Sequence, residues 1–275
     1  MFSGKLNDPG FGEGITFMQR LSDFRATVIE KESIAPGIWA IKLKPEKLRL
    51  RILPGQFFMI RAWSSKDPFL FRPFAVSGNN PDGSLDISFK VVGRGTELLA
   101  ECERGQKVLM RGPCGNGFPK PLGKRLVLAG GAMGIAPLLF ARHYYESSVR
   151  TLLLLGVTGE PEWELFSKSI IQKFPDTLLF SENGMIGRKG TIVDGLAEIL
   201  DENDEVWACG PEGMFHAMGK IKERVTLPIW VSLESRMACG YGGCLGCAVQ
   251  TREGPKRVCA DGPVFRLKEI IRYEP

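Results

Sequence analysis

From Phe24 onward the first half of the chain is a series of short β-rich runs: Arg25-Ala-Thr-Val-Ile, Ile38-Trp-Ala-Ile-Lys-Leu, Phe57-Phe-Met-Ile-Arg, Leu85-Asp-Ile-Ser-Phe-Lys-Val-Val and Lys107-Val-Leu-Met. Turn formers separate them, at Pro36-Gly37, Pro54-Gly55 and Asn79-Asn80-Pro81-Asp82-Gly83, which predicts an antiparallel barrel or sandwich ending near Gly123. The pattern then changes period. Leu126-Val-Leu-Ala-Gly runs into a helix from about Gly134, Thr151-Leu-Leu-Leu-Leu-Gly-Val is a continuous apolar strand, and Leu178-Leu-Phe and Val206-Trp-Ala-Cys supply two more. Continuous hydrophobicity means burial on both faces, so this half predicts a doubly wound parallel α/β domain of about 100 residues. Four segments are therefore expected: an N-terminal extension over 1–23, an all-β domain over 24–123, an α/β domain over 124–227, and a glycine- and cysteine-rich segment over 228–275. The extension carries glycines and prolines without a sustained period, and no function attaches to it.

Composition narrows the class more than it names it. At 275 residues, 44% apolar and 24% charged, the chain is an ordinary soluble protein with room for two domains and a small third. A net charge of +5 with both signs interspersed does not announce nucleic acid as a partner. No apolar run is long enough to span a bilayer and no signal-peptide succession opens the chain, so the cytoplasm is the expected location.

Cysteine placement changes the picture. Four of the seven fall within 21 residues, Cys239, Cys244, Cys247 and Cys259, with intervals of four, two and eleven residues. That is the plant-type ferredoxin spacing, in which thiolates hold a [2Fe–2S] cluster. Gly240, Gly242, Gly243 and Gly246 suit a loop that wraps a cluster with backbone N–H groups facing sulfur. A structural zinc site is the competing reading, although zinc sites usually show two Cys-x2-Cys knuckles and this chain has one.

Three glycine turns and one arginine are the other candidates. Arg72-Pro73-Phe74-Ala75-Val76 reads most simply as an edge strand that tolerates a proline. Gly93-Arg94-Gly95-Thr96 opens a helix, and Arg72 with that helix start would clamp a pyrophosphate, the Thr96 hydroxyl adding a donor. Gly130-Gly131-Ala132-Met133-Gly134-Ile135-Ala136-Pro137 follows the first α/β strand; tight packing of the turn is the bland alternative to a nucleotide site. Cys209-Gly210-Pro211 stands at a strand's C-terminal end, where α/β folds bind ligands, though Cys209 is equally readable as a small buried hydrophobe. Glu182 follows the third strand and would accept hydrogen bonds from an adenine ribose, favouring NAD over NADP, while Arg188 and Lys189 lie close enough in sequence to fold back and oppose that preference. His143 and His216 have no partner pattern and read as structural or surface residues.

Together these segments resemble the ferredoxin–NADP reductase superfamily, with its Arg-Pro-x-Ser/Thr and Gly-x-Gly-Thr flavin segments and its Gly-x-Gly-x-x-Pro and Cys-Gly-Pro nicotinamide segments. Pro54-Gly55-Gln56-Phe57 and Gly112-Pro113-Cys114-Gly115-Asn116-Gly117-Phe118 are similar to further barrel segments of that group. Glu234-Ser-Arg-Met-Ala-Cys-Gly through Val258-Cys259-Ala-Asp-Gly-Pro-Val-Phe265 resembles the electron-transfer subunits of heteromeric NAD-dependent dihydroorotate dehydrogenases, and the resemblance spans about residues 25–268. It implies FAD on the barrel at Arg72, Pro73, Phe74, Ala75, Val76, Gly93, Gly95 and Thr96. It implies NAD at Gly130, Gly131, Gly134, Ile135, Ala136, Pro137, Glu182, Cys209, Gly210 and Pro211, and a [2Fe–2S] cluster on the four cysteines. It also implies an FMN-containing dihydroorotate dehydrogenase catalytic subunit as partner, in a heterotetramer of pyrimidine biosynthesis. No catalytic acid–base pair is required, because hydride transfer needs none. Ala75 stands where the superfamily often has a hydroxyl, so a backbone N–H is expected to serve the flavin there. Competing readings are an NAD(P)H-oxidising FAD/[2Fe–2S] subunit of a sulfide dehydrogenase, hydrogenase or transhydrogenase, and a zinc-stapled nucleotide-binding regulatory module.

Overall fold

The computed structural model describes residues 21–46 and 51–272, so all but the end of the expected extension, and the last three residues of the C-terminal tail, lie outside the described residues. Seven strands form the first sheet: β1 (Ser22–Ala35), β2 (Ile38–Pro45), β3 (Phe57–Arg61), β4 (Arg72–Ala75), β5 (Gly78–Asn79), β6 (Leu85–Lys90) and β7 (Lys107–Cys114), with helix α1 (Arg94–Glu101) between the last two. Their spatial order is β4-β3-β7-β1-β2-β6-β5, antiparallel throughout. Alternation does the work here: in β6, Leu85, Ile87 and Phe89 are buried while Asp86, Ser88 and Lys90 are not. The sheet curls until Phe74 of β4 meets Phe89 of β6 edge to face at 5.6 Å, closing the core without pairing the two edges.

The second sheet takes β8 (Arg125–Gly131), β9 (Arg150–Val157), β10 (Leu178–Ser181), β11 (Arg188–Lys189), β12 (Asp204–Cys209), β13 (Ile229–Ser232) and β16 (Val264–Arg266). Its order is β11-β10-β9-β8-β12-β13-β16, parallel except for β16. Helices α2 (Ala136–Tyr145), α3 (Pro161–Lys173), α4 (Ile192–Ile199) and α5 (Glu212–Met218) connect the strands. Every residue of β12 is buried, and from Val206 to Cys209 its sequence accordingly runs apolar without alternation, after Asp204 and Glu205. The order reverses between β8 and β12, and a ligand crevice opens at the carboxyl ends of such neighbouring strands.

Two strands within the span expected for the cysteine segment, β13 and β16, belong to this sheet. The excursion between them carries β14 (Ala248–Thr251) and β15 (Gly254–Arg257), which β17 (Ile270–Arg272), after β16, joins in a small separate sheet of order β15-β14-β17. One continuous core joins the three parts, running from Phe57, Met59 and Cys114 through Cys247, Val249, Val258 and Cys259 to Val206 and Val231. Between β7 and β8 the buried Glu205 carboxylate accepts from the Leu122 and Gly123 N–H groups and from Trp207 Nε1 at 2.6, 3.1 and 2.9 Å, and Trp207 stacks on Phe118 at 4.5 Å. No described helix is long and apolar enough to cross a membrane.

Candidate functional site

β4 is an edge strand, as its proline requires: Pro73 sits opposite Met59 of β3, with no strand on its other side among the described residues. Phe74 and Val76 point into the barrel core, so only their backbone faces outward, whereas Arg72 and Ala75 are half-buried at the surface. The structure brings Arg72 to the first turn of α1. A Cβ on Gly95 would lie 2.9 Å from both Cγ and Nε of Arg72 and 3.2 Å from the Trp63 ring, so the lack of a side chain at 95 is what lets the guanidinium approach. Arg72 Nη1 donates to the Leu70 carbonyl at 2.7 Å, and its head lies 5.9 Å over the Trp63 ring. Thr96 is engaged within the turn itself. Its hydroxyl donates to the Gly93 carbonyl at 2.8 Å and accepts from the Val92 and Gly93 N–H groups at 2.9 and 3.2 Å, so it is consumed in shaping the turn and offers no further donor.

The β8 and β12 turns pack face to face across the switch point. Gly130 abuts Ile135 and Gly131 abuts Pro211, each with 2.7 Å to the place a Cβ would take; at Gly134 that place lies 2.4 Å from the Cys209 carbonyl oxygen. Close packing and room for a ligand are compatible here, because glycines at the contact leave the backbone of both turns bare. Ile135, Ala136 and Pro137 turn their side chains inward and line the crevice only through the chain itself. Cys209 is buried, with its sulfur 4.0 Å from Glu234 Oε1, and burial pushes the thiol well above its usual range. Glu234 opens to solvent on one side, yet its carboxyl is surrounded by protein, and that burial raises its pKa.

Glu182 is exposed at the end of β10, and β11 runs parallel beside it, placing Arg188 opposite Phe180 and Lys189 opposite Ser181. The two basic residues therefore do fold back next to Glu182, and Arg188 reaches Glu198 at 3.9 Å. His143 is exposed and pairs with Glu146 at 3.3 Å, while His216 on α5 lines a cavity with residues 267–271.

Cys239, Cys244 and Cys247 lie on the loop between β13 and β14, and Cys259 follows β15. Cys247 and Cys259 are buried, Cys239 is half-buried and Cys244 exposed. They sit as two hydrogen-bonded pairs, Cys239 with Cys244 and Cys247 with Cys259, and among the described residues no three His, Cys, Asp or Glu groups converge as a finished coordination shell. The donor chemistry nevertheless fits a thiolate-held group. Gly242 N–H donates to Cys259 Sγ at 3.1 Å, Tyr241 N–H to Cys239 Sγ at 3.5 Å and Cys259 N–H to Cys247 Sγ at 3.4 Å. Gly240 and Gly242 take φ of 75° and 83°, the left-handed values that turn these amides inward. Burial raises the Cys239 thiol, but N–H groups of Tyr241, Cys244 and Gly243 with the Cys244 side chain outweigh it and bring the pKa down to about 6. Burial first, then the Cys247 thiol, pushes Cys259 up to about 12.

Nothing in the sequence patterns marked Met59 or Arg111 as seating this loop on the barrel. Gly240 lies on Met59, its missing Cβ 2.5 Å from Cγ, and Arg111 Nη1 donates to the Cys239 carbonyl at 2.9 Å. At the other end Asn116 donates from Nδ2 to the Ala260 and Asp261 carbonyls at 3.3 and 3.1 Å, and its backbone N–H donates to Gly262 O at 2.6 Å. Arg257 grips Asp261 through Nε at 2.8 Å and reaches the Gly242 carbonyl at 3.3 Å.

Family models match two stretches of the chain. Residues 25–118 match the family model "Oxidoreductase FAD-binding domain", and residues 234–271 match "Iron-sulfur cluster binding domain of dihydroorotate dehydrogenase B". The dihydroorotate dehydrogenase B (NAD(+)) electron transfer subunit of Clostridium acetobutylicum is 33% identical over 248 residues, 89% of this chain and 95% of that one. Its counterpart in Caldanaerobacter subterraneus is 36% identical over 225 residues, covering 79% and 87%. Among solved structures, one of an NADH-dependent reduced ferredoxin-NADP oxidoreductase superposes with a TM-score of 0.77 at 28% identity, over 90% of this chain and 89% of that one. A ferredoxin NADP+ reductase from Neisseria gonorrhoeae, at 17% identity and a TM-score of 0.59 over 75% of this chain and 98% of that one, shares the fold.

Proposed function

The chain belongs to the family of dihydroorotate dehydrogenase B electron transfer subunits, and on that premise we propose that it carries electrons from a partner flavin subunit through a [2Fe–2S] cluster and FAD to NAD⁺. The observation that carries the reading is the seating of the cysteine loop on the flavin-binding barrel, with Cys239 held by Arg111 and Gly240 lying on Met59. When bound, the three groups supply the exchange between two-electron hydride chemistry and single electrons. Arg72 and the bare first turn of α1 clamp the FAD pyrophosphate, and the outward backbone of Phe74, Ala75 and Val76 lines the flavin ring. Ala75 has no hydroxyl to offer, so a main-chain N–H on β4 takes that part. The Gly131–Gly134 turn and Cys209-Gly210-Pro211 hold the nicotinamide in the switch-point crevice, where bare backbone permits close approach and tight packing excludes water. Glu182 receives the adenine ribose and prefers NAD. Cys239, Cys244, Cys247 and Cys259 would ligate the iron, with the N–H groups of Tyr241 and Gly242 steadying the sulfurs.

The partner in this reading is an FMN-containing dihydroorotate-oxidising subunit, in a cytoplasmic heterotetramer, docked where Tyr241 and Leu245 are 58% and 62% exposed beside Cys244. Co-expression with that subunit, followed by iron and flavin analysis and an assay of dihydroorotate-dependent NAD⁺ reduction, tests it: a brown complex that reduces NAD⁺ supports the reading, and a colourless or solitary chain with no such activity refutes it. The likeness to the NADH-dependent reduced ferredoxin-NADP oxidoreductase favours a second reading, in which the same cofactors serve a ferredoxin-linked transhydrogenase partner. Reduction of NADP⁺ by the purified complex with reduced ferredoxin and NADH, without a response to dihydroorotate, would select it.

A further inference from the structure

Arg111 lies on β7, opposite Asp23 of β1 in the strand register, and the pair forms a two-pronged bridge, Nε to Oδ1 at 2.7 Å and Nη2 to Oδ2 at 2.8 Å. The third nitrogen, Nη1, donates to the Cys239 carbonyl at 2.9 Å. The guanidinium plane is held between two rings, 5.1 Å from the centroid of Phe71, which precedes Arg72, and 5.7 Å from that of Tyr241 in the cysteine loop. Only 21% of the side chain is exposed. One residue of the barrel thus touches β1, the segment leading into the expected flavin clamp, and the loop carrying the first cysteine. Asp23 fixes the direction of the fork, so the contact with Cys239 has one geometry and no other.

We infer that Arg111 is a positioning residue for electron transfer: it locks the Cys239 end of the cysteine loop to the flavin-binding barrel and holds a positive charge against that loop, favouring added electron density there. The inference rests on the reading of the loop as a cluster site, and it goes beyond that reading in assigning the barrel, not the loop, control over the cluster's place and potential. Sign distinguishes charge from mere support. A cation beside the cysteines raises the reduction potential and an anion lowers it. Neutralising Arg111 and neutralising Asp23 therefore push the potential in opposite directions, whereas simple loosening of the loop moves both variants the same way. Geometry gives a second signature. Loss of the charge-assisted bond to the Cys239 carbonyl shifts the balance between seated and released loop by about tenfold or more.

The test uses the purified complex carrying Arg111→Gln, Arg111→Lys or Asp23→Asn, first checked for iron and flavin content. Midpoint potentials are taken by EPR-monitored titration, and hydrogen exchange is followed at the amides of 239–243. Arg111→Gln should lower the potential and speed exchange about tenfold; Asp23→Asn should raise the potential; Arg111→Lys, which keeps charge without the fork, should hold the potential near wild type while exchange still quickens. Unchanged potential and exchange in iron-replete Arg111→Gln, or shifts of one sign in both neutralising variants, would overturn the inference. Failure of the underlying cluster reading shows separately, as wild-type protein without iron. A variant that loses its iron is resolved by the exchange measurement alone, in which protection equal to wild type counts against the role of Arg111.

Discussion

Adding one methyl group at Gly134 should disturb both stability and nicotinamide binding. A Cβ there would stand 2.4 Å from the Cys209 carbonyl oxygen, 2.5 Å from its carbon and 2.8 Å from the Gly210 nitrogen. All three are backbone atoms of the neighbouring turn, so no side chain can swing away, and reaching ordinary contact at 3.4 Å means moving one turn relative to the other by about 1 Å. Overpacking of this kind costs about 1–3 kcal/mol. At about 2–4 °C per kcal/mol for a unit of this size, Gly134→Ala should melt about 2–12 °C lower. The same displacement spreads the crevice, and misplacement on that scale weakens a positioned ligand by about tenfold to a hundredfold. The assay pairs differential scanning calorimetry with NADH titration of the flavin-loaded protein. Gly213→Ala is the control, since nothing lies within 4 Å of its Cβ position. On a helix it should be neutral or stabilise by up to about 1 kcal/mol. A Gly134→Ala variant with wild-type melting temperature and NADH affinity would refute the idea that the two glycine turns set the width of the crevice.

Phe118→Ala removes the ring stacked at 4.5 Å and 5° on Trp207, and should lower the unfolding free energy by about 3–5 kcal/mol in urea denaturation, with separation of the barrel and α/β transitions as the visible sign. Glu182→Ala should lower the NADH over NADPH ratio of kcat/KM by about tenfold, because Arg188 and Lys189 alongside then face a 2′-phosphate unopposed. Burial raises the folded-state pKa of Glu234 above 4.5, so the wild type loses stability as pH climbs from 4.5 through that raised value. Glu234→Gln escapes the loss, so its melting temperature should gain on wild type as pH rises from 4.5 through the raised value and then level off, by a small amount because solvent reaches the group; a difference that stays constant from about pH 4 upward would contradict the linkage.

Patterns with local causes were legible in the residues. The cysteine intervals, the apolar strands of the second sheet and the glycine turns each impose a backbone conformation within a few residues, and each stands where the sequence put it. Short or broken elements were not. β7 continues through Gly112-Pro113, which reads as a stop, because Cys114 pairs with Phe57 of β3; β13 is only four residues long and follows a proline, so nothing in its own pattern ties it to β12. The Thr96 hydroxyl has a local use in the turn, a preference that turn geometry sets and composition does not reveal. Arg111 is 128 positions from Cys239 in the chain, and Glu234 25 from Cys209. Contacts of that span are products of topology, and a single sequence carries no periodic trace of them.

β13 leaves the parallel sheet at Ser232, and β16 returns to it at Val264, directly opposite Ser232. The cysteine loop is therefore a stitch whose two threads are knotted into the α/β sheet while its crown rests on the barrel. Such a stitch resists transplantation. Cutting the chain before β13 would strip β12 of its neighbour and bare a hydrogen-bonding edge, so the truncated remainder invites strand-to-strand aggregation rather than surviving as a simple flavin reductase. Grafting the loop onto another reductase would demand both flanking strands and a sheet edge to receive them. Its closure also comes late in synthesis, since the edge strand that completes the sheet is translated only after the last cysteine.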